Sequence, residues 1–334
     1  MDAATDARFV RSFGEPPRSL RVQANGVELH LLEWGDASAQ PVLMVHGMRG
    51  HARWFTPVGP AVGARYRALS LDLRGHGESG HVGPYGPMTF SDDVAALVDT
   101  MGLEHPILVG HSMGGSVTTR AAGLLGERIA GLVVVDSGFG PPPERAGNPG
   151  APGPDARAWS RERETEAPRE RRIFEDWPSA RARFELRPGG TIASAEMLDH
   201  LAFHALEPLD AGRYRWRFAP DMRHRGPGPG ARPGVRPPMP STPFPELRVP
   251  VAAIFGGQSP IRGRTDLANY KDRFAGATWT AVEEIEHVHH HVFVDDAAAF
   301  NPVLMKYLDR MATEAVPTRR ETSPAPARAC TSAP

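Results

Sequence analysis

Short apolar runs alternate with stretches of helical spacing along most of this 334-residue chain. Strand candidates fall at 21–24, 27–34, 42–46, 66–71, 106–110, 131–136, 249–255 and 278–285. Helix candidates lie between them, near 52–63, 90–101, 113–125, 264–275 and 296–311. Asn25-Gly26 separates the first two runs and is a two-residue hairpin signal. Thr89 or Ser91 is predicted to cap the helix near 90–101, with Asp92 and Asp93 favouring the dipole in its first turn. Strands alternating with helices build a mostly parallel sheet covered on both faces. The expected class is α/β, with eight strands and helices on both sides.

One interval breaks the alternation. From 141 to 245 the chain is rich in Pro, Gly, Arg and Glu, with Pro/Gly clusters at 141–154 and 226–245. Met197, Leu198, Leu201, Ala202, Ala205 and Leu206 keep helical spacing inside it. A structureless loop of that length does not suit a compact domain, so the interval reads as an inserted helical cap. Residues 20–140 and 246–312 then form the core, 1–19 an N-terminal extension and 313–334 a disordered tail.

Composition narrows the function. A net charge of −1 gives no reason to expect nucleic acid or an anionic membrane as partner. Lys271 and Lys306 are the only lysines, and the single cysteine, Cys330, excludes a disulfide framework or a thiolate metal site. The first 13 residues lack the apolar core of a secretory signal, and no run is long enough to span a membrane. A cytoplasmic protein, monomer or homodimer, is expected.

Residues 110–114 read Gly-His-Ser-Met-Gly, after an apolar run and before a helical one. This is the G-x-S-x-G nucleophile elbow, a sharp strand-to-helix turn with Ser112 at its apex. Two further motifs accompany it: His46-Gly47-Met48-Arg49-Gly50, and Asp72-Leu73-Arg74-Gly75-His76-Gly77-Glu78-Ser79. With these three in order, the chain resembles an α/β-hydrolase over 20–140 and 246–312.

The resemblance implies a serine hydrolase. A serine hydroxyl needs a base to take its proton and a group to orient that base. The family places the base after the last strand, where Glu286-His287-Val288-His289-His290-His291 stands; the family's spacing favours His290, then His289, then His291. A metal-binding reading of this tract finds no acidic or cysteine partner at matching spacing. Most members carry the acid after the seventh strand, but Ser259 occupies that position here. Asp136, at the end of the sixth strand, is the expected acid, and Asp266 lies too far into the next helix. The chain order Ser112, Asp136, His290 fits the family. The backbone N–H groups of Met113 and Met48 would form the oxyanion hole.

Other residues take plainer readings. His46, His111, Arg74, His76 and Glu78 are expected to be structural, and Arg161–Arg172 a solvated helix. His200 and His204, one helical turn apart, read as a solvated face rather than metal ligands or substrate contacts. Trp54, Phe139, Met197 and Leu201 are candidate pocket residues. The expected activity is hydrolysis of a small or medium acyl ester, thioester or lactone, without metal or organic cofactor. C–C bond hydrolysis, perhydrolysis, acyl transfer or elimination, and a non-catalytic receptor are the alternatives.

Overall fold

The computed structural model describes residues 2–138, 172–219, 246–261 and 267–315. Helix α1 (Ala3–Arg11) comes first, capped by Asp2, whose carboxylate accepts from Thr5 N–H at 2.8 Å. Strands β1 (Arg18–Ala24), β2 (Val27–Trp34) and β3 (Pro41–Val45) follow. A 3₁₀ turn (Ala52–Phe55) and α2 (Gly59–Gly63) then lead to β4 (Arg67–Leu71) and α3 (Pro87–Thr100). Next come β5 (Ile107–His111), α4 (Met113–Leu125) and β6 (Gly131–Val135). The 172–219 segment holds β7 (Ile173–Phe174), α5 (Trp177–Arg181), α6 (Ala195–Ala205), β8 (Leu206–Pro208) and β9 (Tyr214–Trp216). The chain closes with β10 (Val251–Gly256), α7 (Leu267–Arg273), β11 (Thr280–Ile285), α8 (Val292–Asp295) and α9 (Ala297–Ala315).

Eight strands form one sheet in the order β1-β2-β4-β3-β5-β6-β10-β11. β1 and β2 are an antiparallel hairpin over Asn25-Gly26, β2 also runs antiparallel to β4, and every other pairing is parallel. The sheet separates two hydrophobic clusters. Val42 and Met44 of β3, Val133 of β6 and Ile254 of β10 face one side, with Phe55, Phe293, Phe300 and Leu304. Leu43, Val45, Leu132 and Phe255 face the other, with Val94, Leu97, Val117 and Phe274. Period-two alternation thus sends successive apolar residues to opposite faces, and helices cover both.

Four details differ from the sequence reading. α3 starts at Pro87, not at Thr89 or Ser91, because proline suits the first helical turn; the Ser91 hydroxyl instead donates to Pro87 O at 2.6 Å. Residues 52–63 divide into a 3₁₀ turn and a short helix. The first 19 residues hold α1 and the start of β1, and α9 runs on through 313–315. Finally, 172–219 is not purely helical, since β7, β9 and β8 form an antiparallel three-stranded sheet. Arg161 through Glu170, Arg171, Asp266 and Phe139 lie outside the described residues, as does 316–334.

Candidate active site

β5 ends at His111 and α4 begins at Met113, so Ser112 must reverse the chain alone. It does so at φ 54 and ψ −119, a left-handed backbone that a residue with a Cβ rarely adopts. Close packing holds it there. A Cβ on Gly114 would stand 2.3 Å from Val45 O, and one on Gly47 would stand 3.1 Å from Ser112 Cβ. Ser112 is formally the N-cap of α4, yet its hydroxyl makes no capping bond. Instead, Ser112 Oγ and His290 Nε2 are 2.9 Å apart.

His290 is buried in the loop between β11 and α8. Its carbonyl accepts from His111 Nε2–H at 2.9 Å, which ties the loop to the residue preceding Ser112. Nδ1 of His290 lies 3.6 Å from Asp136 Oδ1, an ion-pair distance rather than a hydrogen bond. The neighbouring histidines do not reach Ser112 by hydrogen bond. His289 donates its backbone N–H to Asp295 at 2.7 Å, and His291 packs its ring on Trp54 and His111.

Asp136 directly follows β6, with φ 41 and a fully buried carboxylate. Gly256 N–H donates to Oδ2 at 3.1 Å and the Ser259 hydroxyl to Oδ1 at 2.9 Å. Burial pushes this carboxyl above the usual range; His290, Gly256 and Ser259 oppose that push without cancelling it. Ser259 therefore stands beside the Asp136 carboxylate and donates to it.

The turn after β3 completes the surroundings. His46 Nδ1–H donates to Gly47 O at 2.7 Å, and His46 Nε2 accepts from Leu73 N–H at 3.2 Å. Burial holds this imidazole, and more strongly that of His111, below the ordinary histidine range, so both are neutral at pH 7. Gly50 N–H donates to Gly47 O at 3.0 Å, closing the turn that carries Met48. The Asp72–Ser79 loop acts as a clamp. Asp72 accepts from Ala52 N–H at 2.6 Å, from His30 at 2.7 Å and from Glu78 N–H at 2.9 Å. Arg74 forks onto Asp93 with two bonds of 2.5 Å.

Met197 and Leu201 are buried in the same cluster as Trp54 and Phe55, so they join the 172–219 segment to the sheet's packing. His200 and His204 correct the sequence reading. Their face of α6 is not solvated: His200 is fully buried, and both rings meet Asp6 of α1. These three residues are also a group among the described residues able to hold a metal ion. Asp295, which sequence reasoning missed, accepts from the Thr191 hydroxyl and from Ile192 N–H as well as from His289. It links the 172–219 segment to the histidine loop. Its only signal was an acidic residue just past a histidine tract. A cavity of about 260 Å³ lies away from Ser112, between Arg21, Glu78 and Ser79 of the core and Glu207, Arg215 and Arg217. Arg21–Glu78 and Arg215–Glu207 pairs neutralise most of its walls.

Residues 42–303 match the model of the Alpha/beta hydrolase family. The chain belongs to that family. Among curated relatives, this hydrolase-fold chain is 35% identical over 136 residues to the dihydrolipoyllysine-residue acetyltransferase component of an acetoin cleaving system from Pseudomonas putida, covering 39% of this chain and 37% of that protein. It is 31% identical over 123 residues to a 2-(acetamidomethylene)succinate hydrolase from Mesorhizobium japonicum, covering 35% of this chain and 42% of the relative. The chain thus spans well under half the length of either relative. Among solved structures, a thioesterase domain from the curacin biosynthetic pathway superposes with TM-score 0.64 at 21% identity, over 87% of this chain and all of that one. A Mycobacterium tuberculosis esterase does so with TM-score 0.65 at 24% identity, over 92% of this chain and 97% of the other. At such identities the superpositions speak for the fold. No helix among the described residues is long and apolar enough to cross a membrane.

Proposed function

We propose that the protein is a serine hydrolase acting on a small or medium acyl ester, thioester or lactone. The observation that carries this reading is the 2.9 Å contact between the strained Ser112 hydroxyl and His290 Nε2, with the Asp136 carboxylate behind the same imidazole. Ser112 Oγ attacks the acyl carbonyl while its proton passes to His290 Nε2; Asp136 stabilises the imidazolium so formed. The oxyanion is held by the N–H groups of Met113, at the start of α4, and Met48, each worth about 2.7–4 kcal/mol in the transition state. The proton then leaves with the alcohol or thiol, and water, deprotonated by His290, hydrolyses the acyl-enzyme. No metal or organic cofactor takes part.

The 172–219 segment acts as part of a cap, with Trp54, Met197 and Leu201 near the acyl group. The protein is taken to act on a small-molecule partner in the cytoplasm, as a monomer or homodimer. Names among the relatives agree with acyl chemistry, including a putative esterase/lipase of Haemophilus influenzae, 34% identical over 97 residues. An acceptor other than water would convert the same acyl-enzyme into an acyltransferase, as the name of the Pseudomonas putida relative suggests.

A fluorophosphonate probe tests the reading. Wild type should be labelled and Ser112→Ala should not; a folded wild type that resists labelling would replace the hydrolase with a non-catalytic receptor. Turnover of p-nitrophenyl esters of increasing chain length, with thioesters and lactones alongside, then ranks the substrate classes.

A further inference from the structure

Asp6 is a buried carboxylate held between two imidazoles where three distant parts of the chain meet. It lies on α1, while His200 and His204 are four residues apart on one face of α6. Asp6 Oδ1 is 2.5 Å from His200 Nδ1, and Oδ2 is 2.8 Å from His204 Nε2. One ligand atom from each residue lies within 4.8 Å of the others. On its far side, His200 Nε2 is 3.0 Å from the hydroxyl of Thr56, in the core. His204 keeps 17% of its side chain exposed.

Three features go beyond an ordinary ion pair. Two imidazoles and a carboxylate are a donor set that Zn²⁺ takes readily, and histidines at i and i+4 of one helix present both rings to one point. A metal-bound imidazole normally hands its other N–H to an oxygen, and Thr56 Oγ1 stands where His200 Nε2 needs it. The exposed edge of His204 gives an ion a way in and a place for a solvent ligand. The Arg53 guanidinium, which acts on both Asp6 and His204, opposes the ion and limits its affinity. Ligand atoms around tetrahedral zinc sit about 3.3 Å apart, so Asp6 must retreat by less than about 1 Å, on a terminal helix rather than in the sheet, and the widest pair, up to 4.8 Å apart, must close by up to about 1.5 Å.

We propose that Asp6, His200 and His204 form a binding site for a transition-metal ion of the Zn²⁺ class, with water completing the coordination. On binding, each neutral imidazole carries its hydrogen on the far ring nitrogen. His200 then donates from Nε2 to Thr56 Oγ1, which donated to it before. The ion clasps α1 to α6 and both to the core, and the site stands or falls independently of the chemistry at Ser112.

The test uses the full chain, stripped with a chelator and titrated with Zn²⁺ by calorimetry and with Co²⁺ by visible absorption. One saturable equivalent is expected, with the Co²⁺ spectrum of a four-coordinate site. Thr56→Ala should weaken binding about 10–100-fold, and removal of a ligand in His204→Ala or Asp6→Asn should weaken it at least about 100-fold. Circular dichroism establishes that each variant is folded, and His204→Gln serves if the alanine variant is not. Absence of a saturable equivalent on folded wild type overturns the proposal. So does unchanged affinity in a folded His204 variant, which would put the ion elsewhere, such as the His287–His291 tract.

Discussion

The molecule contains two lines of carboxylate, imidazole and hydroxyl. In one, Asp136 faces His290 at 3.6 Å and His290 faces Ser112 at 2.9 Å. In the other, Asp6 faces His200 at 2.5 Å and His200 faces Thr56 at 3.0 Å. By hydrogen-bond length alone the second is the tighter relay. What separates them lies around the hydroxyl. Ser112 sits at φ 54 at the start of a 13-residue helix, packed against the glycine-bearing turn after β3. Thr56 ends a 3₁₀ turn in ordinary right-handed geometry, φ −50 and ψ −43, and is buried. The first can meet a carbonyl; the second can only hold two elements together. In the proposed chemistry the turn that presents its hydroxyl makes the first line a nucleophile, and without such a turn the same groups form a clasp.

Acid acts on the buried imidazoles packed around the two regions and should produce the largest effect. Burial lowers His46, His51, His111 and His291, takes His76 down to about 3 and takes His204 down to about 4. The unfolded chain binds protons on these groups below about pH 6.5 and the folded chain does not, so stability is complete above that pH and falls below it. Each histidine contributes up to about 1.4 kcal/mol per pH unit down to its folded value, several kcal/mol together. Asp6 and Asp72, both held low, extend the loss below the ordinary carboxylate range. Denaturant midpoints should be nearly level between pH 7.5 and 6.5 and fall at pH 5.5 and again at pH 4.5. A flat profile to pH 5 would mean that these rings already carry charge when folded.

Asp136→Asn sharpens the contrast next. It keeps the shape and removes the charge that stabilises imidazolium, so kcat on an activated ester should drop about 10³–10⁴-fold while the chain stays folded. A mild effect would leave the Ser112–His290 pair to work without a third member.

The sequence pointed to these two regions unequally, for physical reasons. β2 and α4 were read to the residue, and Ser112, His290 and Asp136 were brought together from positions far apart in the chain. Strands buried on both faces, and a turn requiring glycine at fixed offsets, leave strong local marks. The clasp left only half a mark, the one-turn spacing of His200 and His204. Nothing in the sequence singles out Asp6, and His200 and His204 read as a solvated face, because 194 and 198 residues separate them from their partner. Burial of a polar face is a property of the neighbour, and no local pattern encodes it. The antiparallel sheet of β7, β8 and β9 escaped notice likewise, since strands of two or three residues are too short to show a period.

Asp6→Asn tests the clasp as structure. An amide keeps one acceptor but turns an N–H toward an imidazole, so one of the two hydrogen bonds is lost within a buried site. The cost should be about 1–3 kcal/mol, read from the denaturant midpoint with metal excluded. A loss of kcat as deep as that of Asp136→Asn would erase the distinction between the two lines.

The smallest effect is expected at Ser259, where the comparison meets its finest test. Its hydroxyl donates to the same Asp136 oxygen that faces His290, and it also accepts from Ile261 N–H at 3.1 Å. Ser259→Ala removes one of two neutral donors to the carboxylate, while Gly256 N–H remains. Losing that donor favours the protonated form, so the Asp136 carboxyl, already raised by burial, should rise further. A group whose folded value lies above its unfolded value is least favourable at neutral pH, so the variant should lose up to about 1 kcal/mol there and recover part of it in mild acid. Activity should fall only a few-fold at pH 8, with its acid limb displaced upward. A drop matching Asp136→Asn at all pH values would make the serine itself the orienting group, and the carboxylate beside it an accessory.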